Sequence, residues 1–195
     1  MMIPPPCRRL LCMAVFLLGS TPLLARDYVF DTVHSHARFE VSHVGFSMAM
    51  GVFRGLEGGF SFDDDHWPQA RCDVQIAVAS LDMGDAAWRK KLLGKDWFDA
   101  EQHPRMRFEC TGLEQIDERH GTLHGKLSLL GVTRPVALDL HFNRAGMHKF
   151  ALQYVAGFSA DATLKRSDFG MARFLPDIGD EVRIHLEIEA TRRKK

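Results

Sequence analysis

Polar and apolar residues alternate with a period of two along eight stretches of this chain. In the clearest, Val182, Ile184, Leu186, Ile188 and Ala190 are interleaved with Glu181, Arg183, His185, Glu187 and Glu189. Val136, Leu138, Leu140 and Phe142 alternate likewise with Ala137, Asp139, His141 and Asn143. Successive strand side chains point to opposite faces, so each stretch has one dry and one wet side. The predicted strands cover 28–43, 51–63, 71–80, 105–116, 122–130, 134–143, 149–161 and 180–191, with a bend available to the first at Asp31-Thr32-Val33. Turn residues separate them, as at Asp63-Asp64-Asp65 with Pro68, Glu118-Arg119-His120-Gly121 and Arg144-Ala145-Gly146.

A dry sheet face must be covered, and helix-forming sequence is scarce. The interruption at 84–104 is the one helical part: Asp85 can cap it, Trp88 and Leu92 sit four apart, and Gly94 can end it. Closure is therefore the expected solution: a mainly β fold, an eight-stranded antiparallel up-and-down barrel with one helical connection between its third and fourth strands. Trp88, Leu92, Leu93, Trp97 and Phe98 would plug or flank one mouth. A second long connection, 162–179, carries Arg166, Asp168, Phe169, Gly170, Phe174 and Pro176. Loops longer than about 12–15 residues often serve as lids or binding loops, although a crossover whose aromatics complete the core reads this one equally well.

Strand parity assigns the inward set: Phe39 and Val41; Phe60 and Phe62; Val74, Ile76 and Val78; Met106 and Phe108; Leu127 and Leu129; Val136, Leu138 and Leu140; Phe158; Ile184 and Leu186. Phe53, Leu92, Trp97, Phe98 and Phe169 join them as candidate lining. A barrel of eight strands is either filled by side chains or holds one small ligand. Gly45, Gly51, Gly55, Gly58 and Gly59 leave space, and fourteen phenylalanines can wall it. An apolar ligand suits such walls.

Ahead of the strands, Arg8 and Arg9 precede the apolar run Leu10 to Leu18, followed by Gly19, Ser20, Pro22 and Ala25. This is the pattern of a secretory signal, 1–25, cleaved after Ala25. The run falls well short of the roughly 20 apolar residues a membrane span needs. The remaining 26–195 makes one domain of about 170 residues. Losing Arg8 and Arg9 turns the balance of 25 basic and 25 acidic residues slightly negative, with no footprint for nucleic acid. Cys7 and Cys12 would leave with the signal. Cys72 and Cys110 stay, both on the apolar parity of their strands, as a disulfide or as two buried thiols.

Ten histidines raise the question of a metal. His34 and His36 lie two apart, but no Cys-x-x-Cys or His-Glu-x-x-His motif supplies further ligands, so no metal is expected. Nor is there a Gly-x-Ser-x-Gly elbow or a glycine-rich phosphate loop before a helix. The chain reads as a binder, not an enzyme, and no cofactor is expected beyond a bound lipid.

Several short motifs occur in a telling order. Asp31, His34 and Ser35 are followed by Phe39, His43 and Gly45, then by Gly51-Val52-Phe53-Arg54-Gly55. Ser80-Leu81-Asp82 leads into the helix, and Asp96-Trp97-Phe98-Asp99 with His103-Pro104 and Phe108 follows it. Gly125-Lys126-Leu127 with Gly131-Val132-Thr133-Arg134-Pro135-Val136 is the most specific element. Gly157-Phe158, Arg166-Ser167-Asp168-Phe169-Gly170 and Gly179-Asp180-Glu181-Val182 complete the set. Across nearly the whole mature chain this resembles the YceI-like family, exported proteins with a lipocalin-like barrel that bind polyisoprenoids. The resemblance implies a long apolar tunnel holding a prenyl chain or similar amphiphile, periplasmic residence and a homodimer. Where that family commonly carries Arg-Asp-x-His-Leu, this chain has Trp88-Arg89-Lys90-Lys91-Leu92, basic residues suited to an anionic head group or to a solvated face.

The function expected is periplasmic binding, transport or storage of a long isoprenoid lipid, such as an isoprenoid quinone or a prenyl phosphate. His34, His43, Arg166 and Asp168 are candidate head-group contacts. The alternatives are an enzyme acting on such a lipid, with those four as acid–base groups, and a structural envelope module with a filled barrel.

Overall fold

The computed structural model describes residues 25–194. The expected signal, except for Ala25, and with it Cys7 and Cys12, lies outside the described residues. Eleven strands form one sheet: β1 (Arg26–Phe30), β2 (His36–His43), β3 (Ser47–Phe53), β4 (Leu56–Phe62), β5 (Arg71–Ala77), β6 (Leu81–Asp82), β7 (Arg105–Gln115), β8 (His120–Leu129), β9 (Val132–Met147), β10 (Tyr154–Lys165) and β11 (Ile178–Arg192). Helix α1 (Ala86–Leu93) lies between β6 and β7. Every pairing is antiparallel, and β1 returns to pair with β11, which closes the sheet.

The strands occupy eight positions around the barrel, as the alternation predicts. β1 and β2 share one position against β11, β3 and β4 the next, and β5 and β6 the third. The breaks between these partners have a physical consequence. In an unbroken strand, side chains an odd number of residues apart face opposite ways. Phe30 and Phe39, or Phe53 and Phe60, are such pairs, yet all four face the interior. The chain between each pair resets the parity.

The first break is the anticipated bend. The Asp31 carboxylate accepts the Val33 N–H at 2.8 Å, and the Ser35 hydroxyl donates to the Glu189 carbonyl at 2.8 Å. At the second, the predicted strand 51–63 divides at Arg54-Gly55, because Gly55 lies so close to β5's end that a Cβ would come within 2.8 Å of the Ser80 Cβ. The third predicted strand stops at Ala77, where a 3-10 turn (Val78–Ser80) begins and the Ser80 hydroxyl donates to the Ala77 carbonyl at 2.6 Å. The seventh was predicted to begin at Lys149, but residues 148–153 form a turn. There the His148 ring accepts the N–H groups of Phe150 and Ala151 at 3.3 and 3.1 Å, a local bond that competes with the strand ladder. β9 and β10 are correspondingly displaced, and the last connection shortens to 166–177.

Asp85 caps α1 as expected, accepting the Trp88 N–H at 2.7 Å, and Gly94 follows its last residue. The helix, the turn at Leu130-Gly131, the β2–β3 turn and the 166–177 connection all lie at one end of the barrel. Trp67, 1% exposed, closes the other, packed edge-on against Phe62 and Phe142 with ring centroids 5.6 and 6.0 Å away. Among the described residues no helix is long and apolar enough to cross a membrane.

Cys72 on β5 and Cys110 on β7 form a disulfide, with Cα atoms 5.0 Å apart and the two cysteines 38 positions apart in sequence. A loop of that length gives a cross-link worth about 4 kcal/mol of unfolded-state entropy. Replacing both cysteines by alanine is expected to cost up to that amount, read as a lower denaturation midpoint with the barrel's circular dichroism retained.

Candidate functional site: an apolar cavity along the barrel

The barrel is hollow. A cavity of about 330 Å³ runs from the helix end toward the Trp67 cluster, at the lower end of the usual range for small-molecule sites, about 300–1,000 Å³. A barrel packed solid by its own side chains is thereby ruled out. Its deep part is walled by Phe60, Phe62 and Phe158, with ring centroids 5.0–5.4 Å apart across the Phe158 contacts. Phe108 lies across Gly125, where even a methyl group would overlap its ring. Nearer the helix end, Phe39, Phe53 and Phe98 form a second aromatic cluster, Phe98 standing edge-on to Phe53 at 5.3 Å.

Of the residues that strand parity and the connections assigned to the interior, Val78 alone does not line the cavity. It has the right parity, but the strand has already ended. In the 3-10 turn Val78 is wholly buried in the cluster with Leu81, Leu92 and Trp97. The lining also includes residues the alternation did not single out. Leu56 shares the parity of Phe60 and Phe62, so that signal was present. Met83, Met171, Phe174 and Ile178 come from connections and a strand end, where no periodicity marks them.

The four candidate head-group residues separate. His43 and Arg166 line the cavity at its helix end. His34 does not: it is exposed on the outer wall, bonded to Asp31 at 3.0 Å with Glu189 at 4.0 Å. The hydrogen bond that the His34 ring donates to Asp31, together with the carboxylate's charge, raises the His34 pKa above the ordinary imidazole value. His36 is not part of that cluster. Asp168 is likewise exposed and outside the lining, and its backbone carbonyl accepts from Arg134 at 3.2 Å. Both departures have one cause. Each residue sits in a bend or 3-10 turn, where strand parity no longer directs the side chain. An acid–base centre built from all four therefore has no common location.

Arg166 is 5% exposed. Its guanidinium donates to the carbonyls of Gly179, Met171 and Ile178 at 2.8, 2.6 and 2.7 Å and lies 5.6 Å from the Trp97 ring. Beside it the Asp180 carboxylate accepts the Ser167 N–H and hydroxyl at 2.9 and 2.8 Å. Burial pushes the Arg166 pKa down and the charge of Asp180 opposes that push. The Arg166-Ser167 and Gly179-Asp180 motifs are thus the two halves of a clasp holding the 166–177 connection over the mouth.

The helix substitutions also divide by role. Arg89 donates to the Leu81 carbonyl at 2.7 Å and fastens α1 to β6, whereas Lys91 lines the cavity. Arg38, His43, Arg71, Lys91 and Arg166 are the charged or titratable lining groups, and among the described residues no carboxylate joins them.

A hollow antiparallel barrel with an apolar interior and a helical cap defines the class, and comparison places the chain within it. Residues 28–190 match the YceI-like domain, and the chain belongs to that family. It is 34% identical over 178 residues to a UPF0312 protein of Azotobacter vinelandii, covering 90% of this chain and 92% of that one. Its structure is similar to BcnA of Burkholderia cenocepacia, with a TM-score of 0.75 at 25% identity over 83% of this chain and 99% of the other. A polyisoprenoid-binding domain from Saccharophagus degradans, implicated in plant cell wall breakdown, shares the fold at a TM-score of 0.66 and 14% identity, over 87% and 99% of the two chains.

Arg166→Leu is expected to destabilise the protein by about 3 kcal/mol or more, since three carbonyls lose a charged donor. Denaturant titration measures the loss, and hydrogen exchange should localise the loosening to 166–180.

Proposed function

We propose that this chain is an exported carrier that holds a long isoprenoid lipid, an isoprenoid quinone or a prenyl phosphate, in its barrel within the periplasm. The observation that carries this reading is the continuous cavity, walled almost wholly by aliphatic and aromatic side chains. Burial of hydrocarbon contributes roughly 0.8 kcal/mol per CH₂, so one five-carbon isoprene unit supplies up to about 4 kcal/mol before ordering costs. Two or three units reach the roughly 8 kcal/mol of micromolar binding without an ion pair. The polar head then needs only to be oriented. His43, Lys91 and Arg166 at the helix end suit an oxygen-rich or anionic head, and the lack of a lining carboxylate among the described residues disfavours a cationic one.

Binding in place of catalysis is supported by the outward positions of His34 and Asp168 and by the polyisoprenoid-binding description of the Saccharophagus domain. Export is supported by the basic start and apolar run of the first 25 residues and by a disulfide, which persists in oxidising compartments.

Native mass spectrometry of protein purified from a Gram-negative periplasm should show a bound lipid, and organic extraction should identify its chain and head. Phe108→Arg and Leu138→Trp, which place a charge or bulk in the cavity, should each abolish that lipid while near-ultraviolet circular dichroism reports an intact fold. Protein that carries no lipid, and whose melting temperature is unmoved by added isoprenoids, would refute the reading.

A further inference from the structure

The residues around the mouth are apolar where solvent should make them polar. The β2–β3 turn presents Val44 and Phe46, 46% and 89% exposed, with Met48 beside them. Trp88 on α1 and Phe174 and Leu175 on the 166–177 connection are also exposed. One backbone and one ring contact unite them: the Val44 N–H donates to the Asp177 carbonyl at 2.7 Å, and the His43 ring lies 6.2 Å from that of Trp88. Val44 and Phe174 have φ values of 55° and 58°, a left-handed conformation that a β-branched or bulky side chain rarely adopts. At both places the chain holds a strained apolar residue where asparagine or glycine would fit more easily.

Next to this rim is a cleft of about 540 Å³ lined by Lys90, Lys91, Lys95 and Arg173, with Asp96 as its one carboxylate. Asp96 faces Arg173 at 3.4 Å, which leaves the three lysines in excess. The Lys91 Nζ also lies 5.8 Å from the Phe174 ring, so cation and apolar rim adjoin. Trp88, Lys91 and Phe174 line the cavity as well as this surface, which makes the rim continuous with the interior. The opposite tip, Phe150 and Leu152, is exposed too, but no residue of that turn lines the cavity.

We propose that this rim docks on an anionic lipid bilayer: the hairpin tip and Phe174 enter the head-group layer, the lysine cleft receives lipid phosphates, and the mouth opens onto the membrane. Apolar side chains inserted at the interface and lysines attracted to anionic lipid are the two contributions that hold proteins at membrane surfaces. The inference rests on the carrier reading, of which it supplies the loading face.

Full-length mature protein is sedimented with vesicles of phosphatidylcholine, or of phosphatidylcholine and phosphatidylglycerol in equal amounts. Binding is expected to the mixed vesicles, and to weaken as salt screens the lysines. Phe46→Ser should lower the partition coefficient roughly tenfold or more. The Lys90→Glu, Lys95→Glu double variant should abolish the preference for the anionic vesicles, and Phe150→Ser should change nothing. Neither Phe46 nor the two lysines line the cavity, so each variant should still take up lipid presented in detergent. Uptake without vesicle binding overturns the docking face alone, and vesicle binding without uptake overturns the carrier. Loss of binding by Phe150→Ser overturns the assignment of the face. So does light scattering that shows a dimer which Phe46→Ser dissociates, for the rim would then cover a second copy of the chain.

Discussion

The structure depends on one constraint: a sheet with a continuous dry face and a single short helix cannot leave that face open. The barrel meets it through β11, which pairs with β10 along nearly its whole length and, on its other side, with both β1 and β2. That double pairing is the seam. It places the first strands of the domain against the last and so makes closure the most non-local feature of the fold.

The seam requires irregularity. Strands whose inward apolar residues change parity along the chain cannot all be straight, and this chain breaks three of its positions. Each break has its own lock: the Asp31 turn with the buried Ser35, the close approach of Gly55 to Ser80, and the 3-10 turn after Ala77. The first two reset strand parity, so Phe30 and Phe39, and Phe53 and Phe60, all come to face one cavity. The third turns Val78 into the packed cluster under the helix. Short motifs that seem unconnected in the sequence thus share the work of converting a one-sided sheet into a wall.

The two ends of the barrel divide the remaining tasks. Trp67, Phe62 and Phe142 seal one by aromatic contact. At the other, Arg166 uses its guanidinium on backbone carbonyls to hold a connection in place. Asp85 and Arg89 anchor the helix beside it. His43, Lys91 and Arg166 lie at that end and the hydrocarbon-like interior lies below, with Arg71 as the charged lining group at the Trp67 end.

Periodicity alone made most of the wall legible. The helix with its Asp85 cap and Gly94 end follows from capping chemistry. The eight positions follow from a local rule, the alternation of side chains about an extended backbone, and of the residues assigned to the interior all but Val78 line the cavity. The same rule fails wherever the backbone leaves the strand conformation. Alternation carries a strand to Lys149 because the His148 ring bond to its neighbours leaves no periodic trace, and nothing in the sequence separates the outward-facing His34 and Asp168 from His43 and Arg166. Whether Cys72 and Cys110 meet, whether the interior is hollow, and which cations reach it are matters of register and closure. The first is set by the β5–β7 register and the others by closure, which joins residues more than a hundred positions apart, as Ser35 and Glu189 are. Local alternation determines which side of a strand is dry; only the closed tertiary structure decides what those dry sides enclose.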